Sequence, residues 1–378
     1  MKILKVLLFF YLISVNFVIR SQSIKVRIFY DYRVQQFVFT PKNSYYFLYL
    51  DDSSTIKIPA DEPLYFTILK DYIQIRSISE LISTCRKLTL KPENPLSSFY
   101  IKTINPSLET RNYEGFLEVC ANNNQIELIN IIDFEKYIAG VVESETGFTN
   151  QIEFYKTQAI ICRTYAYAHL NRHLSEGFNL CDGIHCQVYK GKCQYYDNIL
   201  PAVFETHHLI ITDSLKNPIN AAFHSNSGGQ TANSEDVWLS SVYYLKSVDD
   251  PYSLPGKNAK WSKKISVDEW RNYLINQGFT IDYDNNEIFN FAQQKRMQYY
   301  KIGKDSISFK KIRVDWNLKS SFFSVINDGN VIIFEGRGYG HGVGLSQEGG
   351  IEMARQGKSF IDIINHYYKN VSIISIDN

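Results

Sequence analysis

Three observations predict an α+β fold for this 378-residue chain: a β-rich N-terminal part followed by a mixed α/β core with a glycine-rich cleft loop. Short apolar-aromatic runs broken by turn residues fill the first hundred residues, the pattern of strands. From about residue 150, apolar residues recur at three- and four-residue spacing, the pattern of helices. Near the C-terminus, five glycines fall within the nine positions from Gly336 to Gly344.

Residues 1–21 read as an export signal: Lys2 and Lys5 supply charge, an apolar stretch runs from Val6 to Ile19, and Ser21 precedes the expected cleavage. The stretch is shorter than the ~20 residues of a spanning helix, so no stable membrane insertion is expected after cleavage. Val26–Tyr30, Tyr45–Leu50 and Leu64–Leu69 are expected strands of a β-rich module over residues 22–111. A hairpin through Gly115 to Ile131 leads into the core, residues 112–378. Asn150, with Glu153 three residues on, is expected to cap a helix whose buried face carries Ile152, Tyr155, Ala159, Cys162, Ala166 and His169. Ser266 and Glu269 mark the start of another, ending at Gly278. Val331–Phe334 should be a strand, and Glu348–Gln356 and Phe360–Tyr368 two helices parted by Gly357.

The formal net charge is +1, which argues against a nucleic-acid or acidic-membrane partner recruited by bulk electrostatics. Export would permit disulfides among the six cysteines. Cys85 and Cys120 could pair, and Cys162, on an apolar helix face, reads as a small buried hydrophobe. His173, Cys181, His185 and Cys186 form a compact group whose imidazoles and thiolates suit a structural, tetrahedral Zn2+. His169 leaves the same helix end and could replace His173; disulfides among Cys181, Cys186 and Cys193 are the alternative. Four protein ligands would leave no open position, which disfavours a zinc hydrolase.

The run from Gly336 to Gln347 presents Arg337, Tyr339 and His341 among residues without bulk. No Gly-Lys-Ser/Thr follows, so it is not a nucleotide-phosphate loop. A Ser-His nucleophile pair there would lack an acid partner. His224, Ser225 and Gln230 lie in a polar Ser/Gly-rich loop, while Trp238 reads as a packing anchor.

Several blocks occur in order over roughly residues 112–376: Tyr137-Ile138-Ala139-Gly140-Val141-Val142-Glu143-Ser144-Glu145, Gln158 to Ala166, His224 to Thr231, Val237-Trp238, Tyr244-Leu245, the glycine run, Met353-Ala354 and His366-Tyr367-Tyr368. Together they resemble the stage II sporulation protein D (SpoIID/LytB) family. The resemblance implies a lytic transglycosylase acting on bacterial peptidoglycan, on strands stripped of stem peptides, at the cell wall in the periplasm or outside the cell. It puts Glu145 on the family's catalytic glutamate and Arg163, Tyr165, His224, Ser225, Gln230, Tyr339, His341, Ser346 and Gln347 at or near the substrate cleft. It implies zinc at the segment from Cys181 to Tyr189. A second role that it suggests is non-catalytic glycan binding or activation of a cell-wall amidase. Where the family continues Met-Pro after its glutamate, this chain has Thr146-Gly147.

Overall fold

The computed structural model describes residues 22–376 apart from 51–53, 196, 239, 282–288 and 330; the export-signal reading of residues 1–21 lies outside them. The fold is α+β. A seven-stranded sheet runs in the order Leu180–Cys181, Ser23–Ile28, Gln125–Asp133, Phe116–Asn122, Lys87–Pro92, Tyr46–Leu50, Thr55–Ile58. A six-stranded sheet runs Arg111–Glu114, Ser98–Asn105, Gln36–Lys42, Leu64–Leu69, Tyr72–Arg76, Leu81–Cys85. Strict alternation of buried and partly exposed residues, as in Gln36–Lys42, leaves each sheet one apolar face. The faces meet through aromatic rings: Tyr46 of the first packs edge-on against Phe39 and Phe99 of the second.

Two features of the first sheet position the site. Ser23–Ile28 pairs antiparallel with Gln125–Asp133 and parallel with Leu180–Cys181, so one strand from the chain's start supports two distant segments of the core. The long strand Gln125–Asp133 then runs straight into helix α1 (Phe134–Thr146), capped by Asp133, whose carboxylate accepts the Lys136 amide. Helix α2 (Ile152–Ala168) packs against α1; α3 (Ile199–Glu205) and α4 (Ser234–Trp238) follow.

The expected capping box at the start of α2 is absent. Gln151 takes the cap position without a side-chain bond, because Glu153 binds Lys156 and the Phe360 amide instead. The box at Ser266 and Glu269 does form, opening α5 (Val267–Asn276). After α6 (Phe309–Asp315), helices α7 (Gln347–Arg355) and α8 (Phe360–Tyr367) fall where expected, and Val331–Arg337 is a strand. None of the six cysteines forms a disulfide. Cys85 and Cys120 lie on strands of different sheets, so neither that pairing nor a disulfide among Cys181, Cys186 and Cys193 is formed.

One continuous hydrophobic cluster joins the sandwich to α1, α2 and α8. A second, built on Trp270, Tyr300, Phe309, Phe323 and Phe334, belongs to residues 260–337. Among the described residues, no helix is long and apolar enough to cross a membrane.

Candidate active site

Glu145 sits in the last turn of α1, with its carboxyl half-withdrawn from water. Oε1 accepts one hydrogen bond, from the Val188 amide at 3.1 Å. Burial raises its pKa above the ordinary 4.5, outweighing that bond and the nearby Lys190 cation, both of which lower it. The neighbouring Glu143 is used differently: its Oε2 accepts the amides of Gln194 and Tyr195 and fixes the following loop. Thr146 and Gly147, which stand where the resembled family has Met-Pro, make a defined turn. Gly147 closes the helix at φ +64°, and the Tyr155 hydroxyl pins the loop by accepting the Thr149 amide at 2.6 Å.

The glycine run reaches the backbone of Glu145 by its far end. Gln347 Nε2 donates to the Glu145 carbonyl at 3.2 Å, a contact across 202 positions of sequence. Upstream, the run lies against the Ser/Gly-rich loop: Asn226 and Tyr339 exchange both backbone hydrogen bonds, and Phe223–His224 pairs in parallel with Leu345–Ser346. Gly338, at φ +77°, shows why bulk is excluded, since a Cβ there would lie 2.5 Å from the Asn226 carbonyl oxygen.

The remaining candidates divide by exposure. Tyr339 is 45% exposed with the Lys319 ammonium 5.8 Å from its ring, and Gln347 and Ser225 are partly exposed. His341 accepts the Val343 amide on Nδ1, and burial beside Arg313 and Arg296 holds its pKa down at about 4, so the ring is neutral at pH 7. Gln230 is occupied by Arg296, whose amide it takes on Oε1. Tyr165 stacks on His169 and faces the Cys/His loop, where its hydroxyl accepts from Arg172.

Three candidates are not cleft surface. Arg163 is fully buried, its guanidinium on the Glu135 carboxylate and the carbonyls of Leu209 and Val203. Ser346 is the buried cap of α7 and accepts the amides of Gly349 and Ser227. His224 is also buried, with Nδ1 on the Val343 carbonyl. Their physical role is to hold the loops, because a buried polar group needs its partners from the protein itself.

The donor atoms of His173, Cys181, His185 and Cys186 all lie within 4.8 Å of one another. Cys186 Sγ is 3.6 Å from His173 Nε2 and 3.8 Å from His185 Nδ1; Cys181 Sγ is 3.7 Å from His185 Nδ1. A tetrahedral zinc with bonds of roughly 2.0–2.3 Å spaces its ligands about 3.6 Å apart, so the set fits. His173 Nδ1 is held by Glu176 at 2.5 Å, which aims Nε2 inward as a metal-bound imidazole requires. His169 turns away, its Nδ1 on the Tyr165 carbonyl.

Residues 122–212 match the family model described as SpoIID, stage II sporulation protein. A stage II sporulation protein D of Bacillus amyloliquefaciens is 33% identical over 272 residues, 68% of this chain and 78% of that protein. The chain belongs to the SpoIID family. The Bacillus subtilis stage II sporulation protein D is 31% identical over 65% of this chain and 76% of its own length. An amidase enhancer of the same organism is 25% identical over 63% of this chain and 40% of its own length.

The matched SpoIID segment holds Glu145 and the four Cys/His residues but ends before the glycine run, which the fold brings back through Gln347. Sequence reasoning missed two groups in this SpoIID chain. Val188, the sole hydrogen-bond donor to the Glu145 carboxylate among the described residues, acts through its backbone and leaves no side-chain signal. Trp238, read as a packing anchor, is 37% exposed with its ring 5.2 Å from that of His341; its position beside the polar loop was the available hint.

Proposed function

We propose that this protein is an exported lytic transglycosylase-like enzyme that cuts peptidoglycan glycan strands, those denuded of stem peptides, with Glu145 as the single acid and base. The observation that carries the reading is the Glu145 carboxyl: half-buried, raised in pKa, in no ion pair among the described residues, and given one amide donor where a stabilised anion would take several. A raised pKa favours the protonated form that a general acid must start from. The cell-wall setting is supported by family membership and by the kinship to an amidase enhancer.

In the proposed reaction the Glu145 carboxylic acid protonates the glycosidic oxygen as the bond from that oxygen to the anomeric carbon breaks. The carboxylate so formed removes the proton from the primary hydroxyl of the same sugar, whose oxygen bonds to the anomeric carbon. The product is an anhydro-ended strand; no water is consumed, so the second carboxyl group of a hydrolase is not needed. Tyr339 and Trp238 offer aromatic faces to sugar rings and Gln347 and Ser225 offer polar contacts. Zinc would be held by His173, Cys181, His185 and Cys186 and would supply structural cross-linking only.

The test is product analysis: anhydro-ended fragments from denuded strands with the parent protein, and at least ~1,000-fold less turnover with Glu145→Gln. Strand cutting that survives Glu145→Gln would sink the proposal. The kinship to the amidase enhancer favours one second reading, an activator that binds glycan without cutting it. That reading predicts uncut strands and faster peptide release when a cell-wall amidase is added.

A further inference from the structure

Gly342 is held clear of side-chain bulk by an arginine. A Cβ there would lie 2.8 Å from Cζ and Nη1 of Arg296 and 2.9 Å from Nη2, so the guanidinium rests on the main chain beside His341. Arg296 comes from residues 260–337, the part built on the second hydrophobic cluster. Its Nε donates to the Gln230 carbonyl at 2.6 Å and its Nη2 to the Ser227 carbonyl at 2.7 Å. Its amide donates to Gln230 Oε1 at 2.8 Å, and Cζ lies 4.7 Å from the centre of the Phe322 ring. One side chain thus touches the polar loop, the glycine run and the second part of the core.

Those two loops carry the aromatic wall of the cleft. The Ala232 amide donates to the Gly342 carbonyl at 2.7 Å, and Asn226 bonds Tyr339 through both main chains. The Trp238 ring lies 5.2 Å from that of His341. Lys310, from the same part of the chain as Arg296, donates to the Val237 carbonyl at 2.7 Å, one residue from Trp238. Burial, then Arg337 and Arg313, lower the Arg296 pKa to about 9, with Asp236 opposing them, so the group is still a cation at pH 7. Burying a cation against neutral carbonyls is costly unless its donors are well placed, and here two of them bridge residues 227 and 230. A lysine would keep the charge but has no planar fork to span both carbonyls while lying on Gly342.

We infer that Arg296 is a positioning residue for strand binding: it fastens the Ser227–Gln230 loop to the glycine run at Gly342 and so holds the Trp238, His341 and Tyr339 wall in place to receive sugar rings. Arg296 acts through these residues and touches no reacting atom. It also makes the second core, which is remote from Glu145 in sequence, a support of the cleft. The inference rests on the glycan reading above, and it concerns how strands are held, not how Glu145 moves protons.

The test measures strand cutting by the full chain and by two single variants, Arg296→Lys and Gly342→Ala, and their double variant. Arg296→Lys keeps the charge and loses the plane; it should raise KM about tenfold, the worth of one misplaced aromatic contact, with kcat within about twofold. Gly342→Ala pushes the guanidinium away and should give the same split. Each change removes the same contact, so the double variant should be no worse than the poorer single one. Hydrogen exchange should quicken at the Ala232 amide in Arg296→Lys while Phe323–Asn327 keeps its protection, which separates a loosened loop from a loosened core. Melting curves establish that each variant is folded; if Arg296→Lys is not, the KM of Gly342→Ala decides. An unmoved KM in a folded single variant, or effects that simply add in the double one, overturns the inference alone. A parent protein that neither binds nor cuts strands overturns the glycan reading and this inference with it.

Discussion

A glutamate that must first give a proton and then take one needs a pKa near the working pH, and three contacts govern Glu145. Burial raises the pKa, while the Val188 amide and the Lys190 cation lower it. The acid form is the one that starts the reaction, so activity is lost as pH rises through the raised pKa. The alkaline limb of kcat/KM should therefore lie above pH 4.5, the ordinary glutamate value. Lys190 is exposed, and its influence is screened but of known sign. Lys190→Met is expected to carry the limb further alkaline, measured as a pH profile on denuded strands. A limb that moved to lower pH would contradict the account of this environment.

At the scale of elements, the helices around Glu145 are held by a buried ion pair. Arg163 on α2 meets Glu135 in the first turn of α1 through two nitrogens, and both side chains are at most 4% exposed. Coulomb attraction there is offset by desolvation, so the pair adds little net stability while whole, but removing one partner strands the other. Arg163→Met should cost about 3–5 kcal/mol, read from denaturant unfolding. It should lower activity only as far as α1 shifts under Glu145. A variant as stable as the parent would mean that Glu135 finds another partner.

The same pair marks where sequence legibility stops. The α2 stripe was readable because Ile152, Tyr155, Ala159 and Cys162 repeat at helical spacing, and the start of α5 because Ser266 and Glu269 cap locally. Arg163 could be read equally as a sugar contact or as half of an ion pair, because its partner lies 28 residues away and nothing local announces it. His224 and Ser346 misled for a related reason: polar residues in glycine-rich loops look solvent-facing until the loops fold over them. Closeness in sequence pointed to His173, Cys181, His185 and Cys186 as a group but left His169 and disulfides as alternatives; the fold brings the donor atoms of the four within 4.8 Å of one another.

For the whole molecule, that excursion is a junction. Leu180–Cys181 extends the first sheet beside Ser23–Ile28, His173 sits beyond α2, and Val188, two residues after Cys186, holds the Glu145 carboxylate. Asp182, next to Cys181, accepts the amides of Phe29 and Tyr30 and the Arg111 guanidinium, all from the N-terminal module. A zinc on the four ligands would thus bind the folded state of module and core together, and whatever binds only the folded state stabilises it. Protein purified without chelator should carry one zinc per chain by elemental mass spectrometry. Stripping it should lower Tm by roughly 5 °C or more, as the loss of a few kcal/mol does in a chain of this size. Hydrogen exchange should quicken at Ser23–Ile28 and at the Val188 amide, while the separate cluster around Trp270 keeps its protection. Cys186→Ser should reproduce the change without chelator. Metal-free protein with an unmoved Tm would mean that the sheet pairing, the shared hydrophobic cluster and the Asp182 contacts hold the two parts together without it.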